Sequence, residues 1–290
     1  MATVCAQGVD TGFAALGYGK VAFLGVIQGI TELLPISSTA HMRVVPALLG
    51  WRDPGSAFSA AMQLAALAAV LSYFWGDVSR LAGESLSAMG RRRFDNPSLR
   101  LVVWIGLATI PIGLAGIFLS PVLNQCDSPM RGLRVIGWAC IGMAALLAVA
   151  EIVARHRRYL RDASLLDALI VGIAQVGALI PGVSRSGSTL TAALGLGFRR
   201  EEAARFSFLL GIPTIALAGF TELWELHKAH LDNHGWSVLA VGLVVASVSA
   251  FVAIWGLMRV LERFSAWPFV IYRGALGVAI LVGVGAGWLA

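Results

Sequence analysis

Six apolar segments, each long enough to cross the roughly 30 Å hydrocarbon core of a bilayer, constrain the fold of this 290-residue chain most strongly. They lie near 56–75, 99–119, 134–153, 205–222, 237–258 and 268–288. Only 13% of the residues are charged, so no water-soluble fold could cover this much apolar surface. The sequence predicts an all-α polytopic membrane protein, and it excludes a nuclear factor, a secreted disulfide scaffold and a disordered chain.

The basic residues, which give the chain a net charge of +6, lie mainly in the short connections between the apolar segments. Fourteen Lys and Arg residues fall in the connections on one side, and six fall on the other. Because cytoplasmic loops carry the excess of Lys and Arg, the richer side is predicted to be cytoplasmic and both termini periplasmic. The basic charge is therefore explained by orientation in the membrane, and no nucleic-acid partner is expected.

Two further apolar stretches, 20–50 and 165–200, are interrupted by Gly, Pro, Ser and charged residues. Irregular backbone at membrane depth is tolerated only where protein buries it or where it lines a wet cavity. Both stretches are therefore predicted to be re-entrant helical hairpins, broken near Pro35 and Pro181.

The two hairpins also resemble each other. Each has a Gln six or seven residues before its proline and a Ser three residues after it, namely Gln28, Pro35 and Ser38, and Gln175, Pro181 and Ser184. With a one-residue gap between the copies, this pattern predicts an inverted-topology repeat within one membrane domain. Repeat 1 covers about 20–119, repeat 2 covers about 165–258, and the functional site is expected where the broken halves meet.

The first hairpin concentrates polar residues that could carry chemistry. Gln28 and Glu32 are four residues apart and so share one face of a helix, and a carboxylate at membrane depth is costly and usually functional. The run Ser37-Ser38-Thr39 offers hydroxyls and backbone N–H groups at a new helix start, which suits an anion. His41 is close enough in sequence to be the proton partner of Ser38. Any one of these residues could have an ordinary structural role, as a helix cap, half of an ion pair or an interior histidine. Their occurrence together within fourteen positions favours a functional site.

The second hairpin reads Pro181-Gly-Val-Ser-Arg-Ser-Gly-Ser-Thr189, a run of small residues around Arg185. Glycines allow close backbone approach, hydroxyls and amides donate to phosphate oxygens, and a guanidinium can bind phosphate through two hydrogen bonds. The alternative is a Gly/Ser-rich helix-packing segment. No acidic residue lies between Asp167 and Glu201, so either a bound anion or Glu32 is expected to neutralise Arg185.

These segments resemble the undecaprenyl-diphosphate phosphatases, the bacitracin-resistance family of bacterial inner membranes. The matching text is QGITELLPISSTAH at 28–41, PGVSRSGSTLTAALGLGFRREEAARFSFLLGIP at 181–213 and PFVIYR at 268–273. The resemblance extends over nearly the whole chain. It implies an inner-membrane enzyme that removes the terminal phosphate of undecaprenyl diphosphate on the periplasmic side, recycles this lipid carrier for peptidoglycan and other envelope glycans, and confers resistance to bacitracin.

The predicted site follows from the two motifs taken together. Glu32, Ser38, His41 and Arg185 are expected to be catalytic, and the expected phosphate-binding residues are Gln28, Ser37, Thr39, Ser184, Ser186 and Thr189. A divalent cation, Mg²⁺ or Ca²⁺, is expected on Glu32. Some family members have Glu where this chain has Gln28, which removes one carboxylate from a two-carboxylate metal site.

Phosphoryl transfer depends mainly on positioning and charge neutralisation. The expected mechanism has Arg185 holding the diphosphate while Ser38 or a water attacks the terminal phosphorus, with His41 as base. Attack by His41 itself is a variant. The prenyl chain is expected to lie between helices. Gln63, Gln175 and Arg273 are second-line candidates, since each could be a buried hydrogen-bonding residue only.

The competing interpretation is a transporter that flips a prenyl phosphate, because inverted repeats with broken helices are typical of secondary transporters. A nucleophile with proton handling, as in Glu32, Ser38 and His41, favours hydrolysis, whereas a flippase needs only charge shielding. The small residues Gly283, Gly285 and Gly287 would also allow a homodimer.

Overall fold

A computed structural model describes residues 5–6, 9–123, 130 and 132–289. Two short strands, β1 (Cys5–Ala6) and β2 (Val9–Asp10), pair antiparallel near the N-terminus, and the remaining regular structure is helical. The α-helices are α1 (Gly17–Leu33), α2 (Ser38–Leu48), α3 (Ser56–Ala61), α4 (Gln63–Tyr73), α5 (Trp75–Gly90), α6 (Pro97–Leu123), α7 (Leu133–Val153), α8 (Leu165–Val176), α9 (Arg185–Gly195), α10 (Arg200–Lys228), α11 (Asn233–Arg263) and α12 (Trp267–Gly285).

Six helical segments of the described chain are long and apolar enough to cross a membrane, so the prediction of an all-α polytopic membrane protein is confirmed. They are Gly12–Leu33, Pro97–Leu119, Leu133–Val153, Arg200–Lys228, Asn233–Arg263 and Trp267–Gly285. Large apolar side chains such as Ile117, Phe118 and Ile152 are exposed on their outer faces, as expected where lipid replaces water. Five of these segments coincide with predicted spans.

The segment near 56–75, predicted as a single span, contains α3 and α4 and ends at a sharp bend. Beyond the bend, α5 leaves the direction of 57–73 at an angle of 77°. The apolar run stops at Asp77, just after the bend, where the carboxylate accepts a hydrogen bond from Arg205. The sixth span is Gly12–Leu33, which includes the first arm of the hairpin predicted over 20–50.

Both predicted breaks are present, and they have the same local structure. The side chains of Ser37 and Ser184 cap α2 and α9, and both residues have positive φ angles, of 72° and 65°. Ser37 and Ser184 are therefore the equivalent residues, whereas the sequence pattern had paired Ser38 with Ser184. With this alignment Gln28 and Gln175 have the same spacing of 147 residues as the two capping serines, while Pro35 and Pro181 are 146 residues apart.

The two hairpins pack in matching ways. Helix α1 packs against α11, and α8 packs against α6. Glycines allow both contacts, because a Cβ atom at Gly25 would lie 2.9 Å from the carbonyl oxygen of Gly242, and one at Gly172 would lie 2.3 Å from that of Ala108. Each first hairpin arm thus packs on the last long helix of the other proposed repeat. This exchange supports the inverted repeat and its domain bounds, which stay predictions.

Ion pairs hold the arginine-rich ends of the helices together. At the start of α8, Arg158 donates two hydrogen bonds to Asp167, at 2.9 and 2.5 Å, and Ser164 caps the same helix. Burial by itself raises the pKa of the Asp167 carboxyl, but the hydrogen bonds from Arg158 and Ser164 outweigh burial and hold that pKa below its ordinary value. The second hairpin is therefore anchored at its base by a charged pair outside the candidate spans.

Candidate active site

The carboxylate of Glu32, buried at the end of α1, lies at the centre of the polar residues that the two breaks bring together. Its Oε2 atom accepts hydrogen bonds from the Ser38 hydroxyl at 2.6 Å and from the Gln28 amide at 3.0 Å. Its Oε1 atom lies 3.4 Å from Nη2 of Arg185, on the other hairpin. The predicted pairing of Glu32 with Arg185 is therefore present, and it joins the first motif to the second.

Arg185 is the first residue of α9, and its side chain keeps unused hydrogen-bond donors. Its Nε atom is buried without a partner among the described residues. The guanidinium fits against α10 only because residue 211 is glycine: a Cβ atom there would lie 2.2 Å from Nη1 of Arg185. A single long contact to Glu32 leaves this guanidinium with capacity for a further anion.

The hydroxyls of the second motif mostly bind protein groups. Ser186 donates to the carbonyl oxygens of Glu32 and Leu34, both at 3.1 Å, and so joins the two breaks directly. Thr189, which is fully buried, donates to the carbonyl oxygen of Arg185 and shares a hydrogen bond with Ser207 at 2.5 Å. These two predicted phosphate ligands therefore support the backbone of the site in this structure.

Three other predicted phosphate-binding residues lie at the helix starts. The hydroxyls of Ser37 and Ser184 accept hydrogen bonds from the backbone N–H groups of Ala40 and Gly187, so both act as helix caps. Thr39 lies in the first turn of α2, where its hydroxyl makes no hydrogen bond with the described part of the chain. The first N–H groups of a helix have no partner within the helix, so helix starts of this kind can bind an anion.

His41 lies next to the site but does not bind Ser38. Its Nδ1 atom donates to the carbonyl oxygen of Ser37 at 2.8 Å, and its Nε2 atom lies 2.8 Å from the hydroxyl of Tyr272. The two rings are nearly parallel, with an interplanar angle of 1° and centroids 5.7 Å apart. Since a carbonyl oxygen can only accept, the neutral imidazole carries its proton on Nδ1 and accepts from Tyr272. The predicted contact between His41 and Ser38 is therefore replaced by a contact between Glu32 and Ser38.

Arg273 holds the two breaks at a fixed separation. It is 0% exposed, and it donates to Pro35 O at 3.2 Å in the first break and to Gly182 O and Val183 O, at 2.6 and 2.5 Å, in the second. Gly187 makes room for it, because a Cβ atom there would lie 2.4 Å from Nη1 of Arg273. This second-line candidate therefore positions the site, since its guanidinium satisfies carbonyl groups of both hairpins at once.

Sequence reasoning missed two residues of the site, Tyr272 and Gly211. Tyr272 precedes the buried Arg273 within the motif PFVIYR, so its signal was available, but nothing in the sequence linked it to His41. Gly211 is one small residue in an apolar helix and carries no chemical signal. Gln175, a second-line candidate, donates to Thr214 at 3.1 Å, and Gln63 is the first residue of α4.

The ligands available to a cation are few. The described residues contain no group of three His, Cys, Asp or Glu side chains that could hold a metal ion. Near Glu32, however, Oε1 of Gln28 is buried and has no hydrogen-bond partner within the described chain. Carboxylate and amide oxygens suit Mg²⁺ or Ca²⁺, and Mg²⁺ commonly uses one or two protein ligands with substrate phosphates completing its shell. The residues present therefore fit a cation that a diphosphate helps to bind.

The fold and the site define a multi-pass membrane protein in which two broken helical hairpins enclose an acidic residue, an arginine and a serine hydroxyl. The family model of the bacitracin resistance protein BacA matches residues 21–279. The chain belongs to this family.

Curated relatives agree with this assignment. Undecaprenyl-diphosphatase 2 of Mesorhizobium japonicum is 76% identical over 264 residues, which cover 91% of this chain and 100% of that protein. The undecaprenyl-diphosphatases of Trichormus variabilis and of Synechocystis sp. are 46% and 45% identical, and both matches cover 97% of this chain and 88% of the relative.

Proposed function

We propose that this protein hydrolyses undecaprenyl diphosphate to undecaprenyl phosphate and inorganic phosphate, which recycles a lipid carrier for peptidoglycan and envelope glycans and confers bacitracin resistance. The observation that carries the proposal is the 2.6 Å hydrogen bond from the Ser38 hydroxyl to Glu32, beside the incompletely paired guanidinium of Arg185. A nucleophile, a proton acceptor and an anion-binding group meet at one place, and relatives up to 76% identical are named undecaprenyl-diphosphatases.

Arg185 binds the diphosphate. Its contact to Glu32 is long, at 3.4 Å, and its Nε has no partner among the described residues, so it can turn toward phosphate oxygens without breaking a strong pair. Backbone N–H groups at the starts of α2 and α9 add uncharged donors from both sides. When Arg185 turns to the substrate, Oε2 of Glu32 keeps its hydrogen bond from Ser38 and can accept that proton.

Ser38 is the nucleophile in this proposal. Its oxygen forms a bond to the terminal phosphorus, the bond from that phosphorus to the bridging oxygen breaks, and the lipid phosphate leaves with the electron pair. The Ser38 proton passes to Oε2 of Glu32, which already accepts its hydrogen bond. Water then attacks the phosphoserine, releases inorganic phosphate and restores the Ser38 hydroxyl with the proton returned by Glu32. The leaving group is a stable anion, so no strong general acid is required.

A divalent cation, Mg²⁺ or Ca²⁺, would be held by Glu32 and by the unpaired Oε1 of Gln28. When bound, it would neutralise charge on the diphosphate oxygens. His41 has a different role here: its hydrogen bonds to Ser37 and Tyr272 fix the first turn of α2, from which Ser38 projects.

In this proposal the protein lies in the bacterial inner membrane with its arginine-rich connections in the cytoplasm. This orientation places both termini in the periplasm and opens the site toward the periplasm. The homodimer predicted from the small residues of the last helix is still a prediction. Within the chain, Gly283 already packs on Leu289, so only part of that small-residue face is open to a second copy.

The test is phosphate release from undecaprenyl diphosphate by the purified protein in detergent, with and without a chelator. Ser38→Ala, Glu32→Gln and Arg185→Gln should each reduce release by at least about 10³-fold while the thermal midpoint stays within a few degrees. Thr191→Ala is the matched control, because it removes a hydroxyl from the same helix as Arg185 that binds only the carbonyl of Gly187.

The outcomes separate the parts of the proposal. If the Ser38→Ala variant still releases phosphate, the nucleophile must be water or His41. If the chelator does not change the rate of release, only the proposed role of the divalent cation is refuted. A folded wild-type protein that binds undecaprenyl phosphate but releases no phosphate from the diphosphate would refute the phosphatase and favour a lipid-phosphate transporter.

A further inference from the structure

A cavity of about 470 Å³ with charged residues in its walls lies between α5, α6, α10 and the connection 159–163. None of its lining residues belongs to the site around Glu32. Its charged lining consists of four arginines and three carboxylates, namely Arg80, Arg100, Arg161 and Arg205, and Asp77, Asp162 and Glu202.

The carboxylates of this cavity are already bound by protein groups. Asp77 accepts hydrogen bonds from Arg80, at 3.1 Å, and from Arg205. Glu202 and Asp162 accept backbone N–H groups of the connection 159–163, at 2.7 and 2.9 Å. Arg80 and Arg205 neutralise Asp77, whereas the backbone hydrogen bonds hold Asp162 and Glu202 in place without removing their charge. The four arginines still outnumber the three carboxylates of the lining.

Two arginines retain free donors. Arg100 lies over the ring of Trp104, 4.9 Å from its centroid, and it forms no ion pair with any carboxylate of the described chain. Arg161 lies over the ring of Tyr159, touches Asp162 only at 4.0 Å, and has a side chain that is 81% exposed. Both guanidinium groups can therefore turn toward an anion in the cavity.

The cavity also has apolar lining residues and lies beside a helix suited to a membrane surface. Leu101, Trp104 and Leu209 are among the residues that line it. Helix α5, which forms one wall, bends away from α4 by 77° and exposes Leu86 and Met89. A helix with exposed apolar side chains that leads into a run of arginines, 91–93, is typical of one lying in the headgroup region.

We propose that this cavity binds an anionic glycerophospholipid, with its phosphate held by Arg100 and Arg161 and its acyl chain against Leu101 and Trp104. Basic pockets between membrane helices recognise anionic headgroups in this way. The planar fork of a guanidinium suits a phosphate diester, and the arginines of the lining outnumber its carboxylates by four to three. The bound lipid would join α5 to α6 and α10 at the arginine-rich face.

The experiment measures lipid binding to the purified full-length protein by native mass spectrometry, with phosphatidylglycerol, phosphatidylcholine and undecaprenyl phosphate as separate probes. Phosphatidylglycerol should bind the wild type at least about tenfold more tightly than phosphatidylcholine does, and Arg100→Gln and Arg161→Gln should each remove most of this preference. Arg93→Gln is the matched control, because it changes the net charge equally on the same face but lies outside the cavity.

The variants also separate binding from folding and from catalysis. Arg161 is an exposed side chain, so Arg161→Gln should keep the wild-type thermal midpoint even if Arg100→Gln does not. Both variants should keep phosphatase activity and undecaprenyl phosphate binding. An equal loss of preference in Arg93→Gln would refute the site, since general surface charge would then explain binding. Displacement of phosphatidylglycerol from the cavity by undecaprenyl phosphate would refute the assignment to phospholipid.

Discussion

Replacing Gly211 with alanine should inactivate the enzyme while leaving its fold intact. Gly211 lies within α10, and a Cβ atom built there would be 2.2 Å from Nη1 and 3.3 Å from Cζ of Arg185. Because ordinary contacts of a Cβ atom begin near 3.4 Å, the guanidinium must withdraw by roughly 1 Å. The backbone of α10 need not move, since the obstacle is the end of a flexible side chain.

The size of the effect follows from this displacement. Arg185 is the group proposed to hold the diphosphate, and a misplacement of about 1 Å can lower a reaction rate by about 10²-fold. The corresponding loss of transition-state stabilisation is about 2.7 kcal/mol. Stability should change in the opposite direction or not at all, because alanine is favoured over glycine in a helix interior by about 1 kcal/mol.

Phosphate release from undecaprenyl diphosphate and the thermal midpoint in detergent should therefore be measured side by side. Gly142→Ala is the matched control: Gly142 also lies inside a candidate span, in α7, and a Cβ atom there would meet nothing within 4 Å. If the Gly211→Ala protein releases phosphate at a rate within about threefold of the wild type, catalysis does not depend on the position of the Arg185 guanidinium, because the added Cβ atom must displace that group.

Three further predictions follow from other contacts. Arg273→Met should loosen the second break around Gly182, whose carbonyl oxygen also lies 3.7 Å from the buried thiol of Cys140. Maleimide labelling of the Cys140 peptide should therefore rise several-fold in Arg273→Met and by less in Arg273→Lys. Tyr272→Phe removes the hydroxyl bound to His41, so release should fall by about tenfold with an unchanged thermal midpoint. Asp167→Asn should lower the free energy of unfolding at pH 7 by about 2 kcal/mol, because it removes the ion pair with Arg158. The difference from the wild type should shrink as the pH falls through the depressed pKa of Asp167, since the wild type then loses the same ion pair. A difference in thermal midpoint that does not change with pH would contradict this prediction.

Charge at membrane depth made much of the site predictable from sequence. Glu32 and Arg185 are costly in hydrocarbon, and each lacks a partner nearby in sequence, so their pairing across 153 residues could be inferred. The breaks were also predictable, because prolines and small polar residues interrupt two apolar stretches. The spans were predicted from length and hydropathy, which are sufficient when the helix continues straight.

Other features depend on contacts that no local pattern encodes. The bend before α5 is accompanied by the pairing of Asp77 with Arg205, which lie 128 residues apart. The His41–Tyr272 hydrogen bond depends on the packing of α2 beside α12. The space that Gly211 leaves for Arg185 is visible only once α9 and α10 are placed together, since an isolated glycine in a membrane helix usually reflects helix packing.

The paired breaks explain why the site can exist at membrane depth. Each break frees backbone carbonyl groups that hydrocarbon would not satisfy, and the structure satisfies them with donors from elsewhere in the fold: Arg273 binds carbonyls of both breaks, and Ser186 binds those of Glu32 and Leu34. At the starts of α2 and α9, the hydroxyls of Ser37 and Ser184 accept the backbone N–H groups of Ala40 and Gly187, while the first N–H groups of each helix have no partner within the helix itself. Because the carbonyl groups are bound by protein donors and the amide groups remain available to an anion, the backbone makes the electrostatic potential of the site more positive. This partly offsets the negative charge of Glu32. The arrangement therefore favours binding of a phosphate group over binding of a cation without substrate.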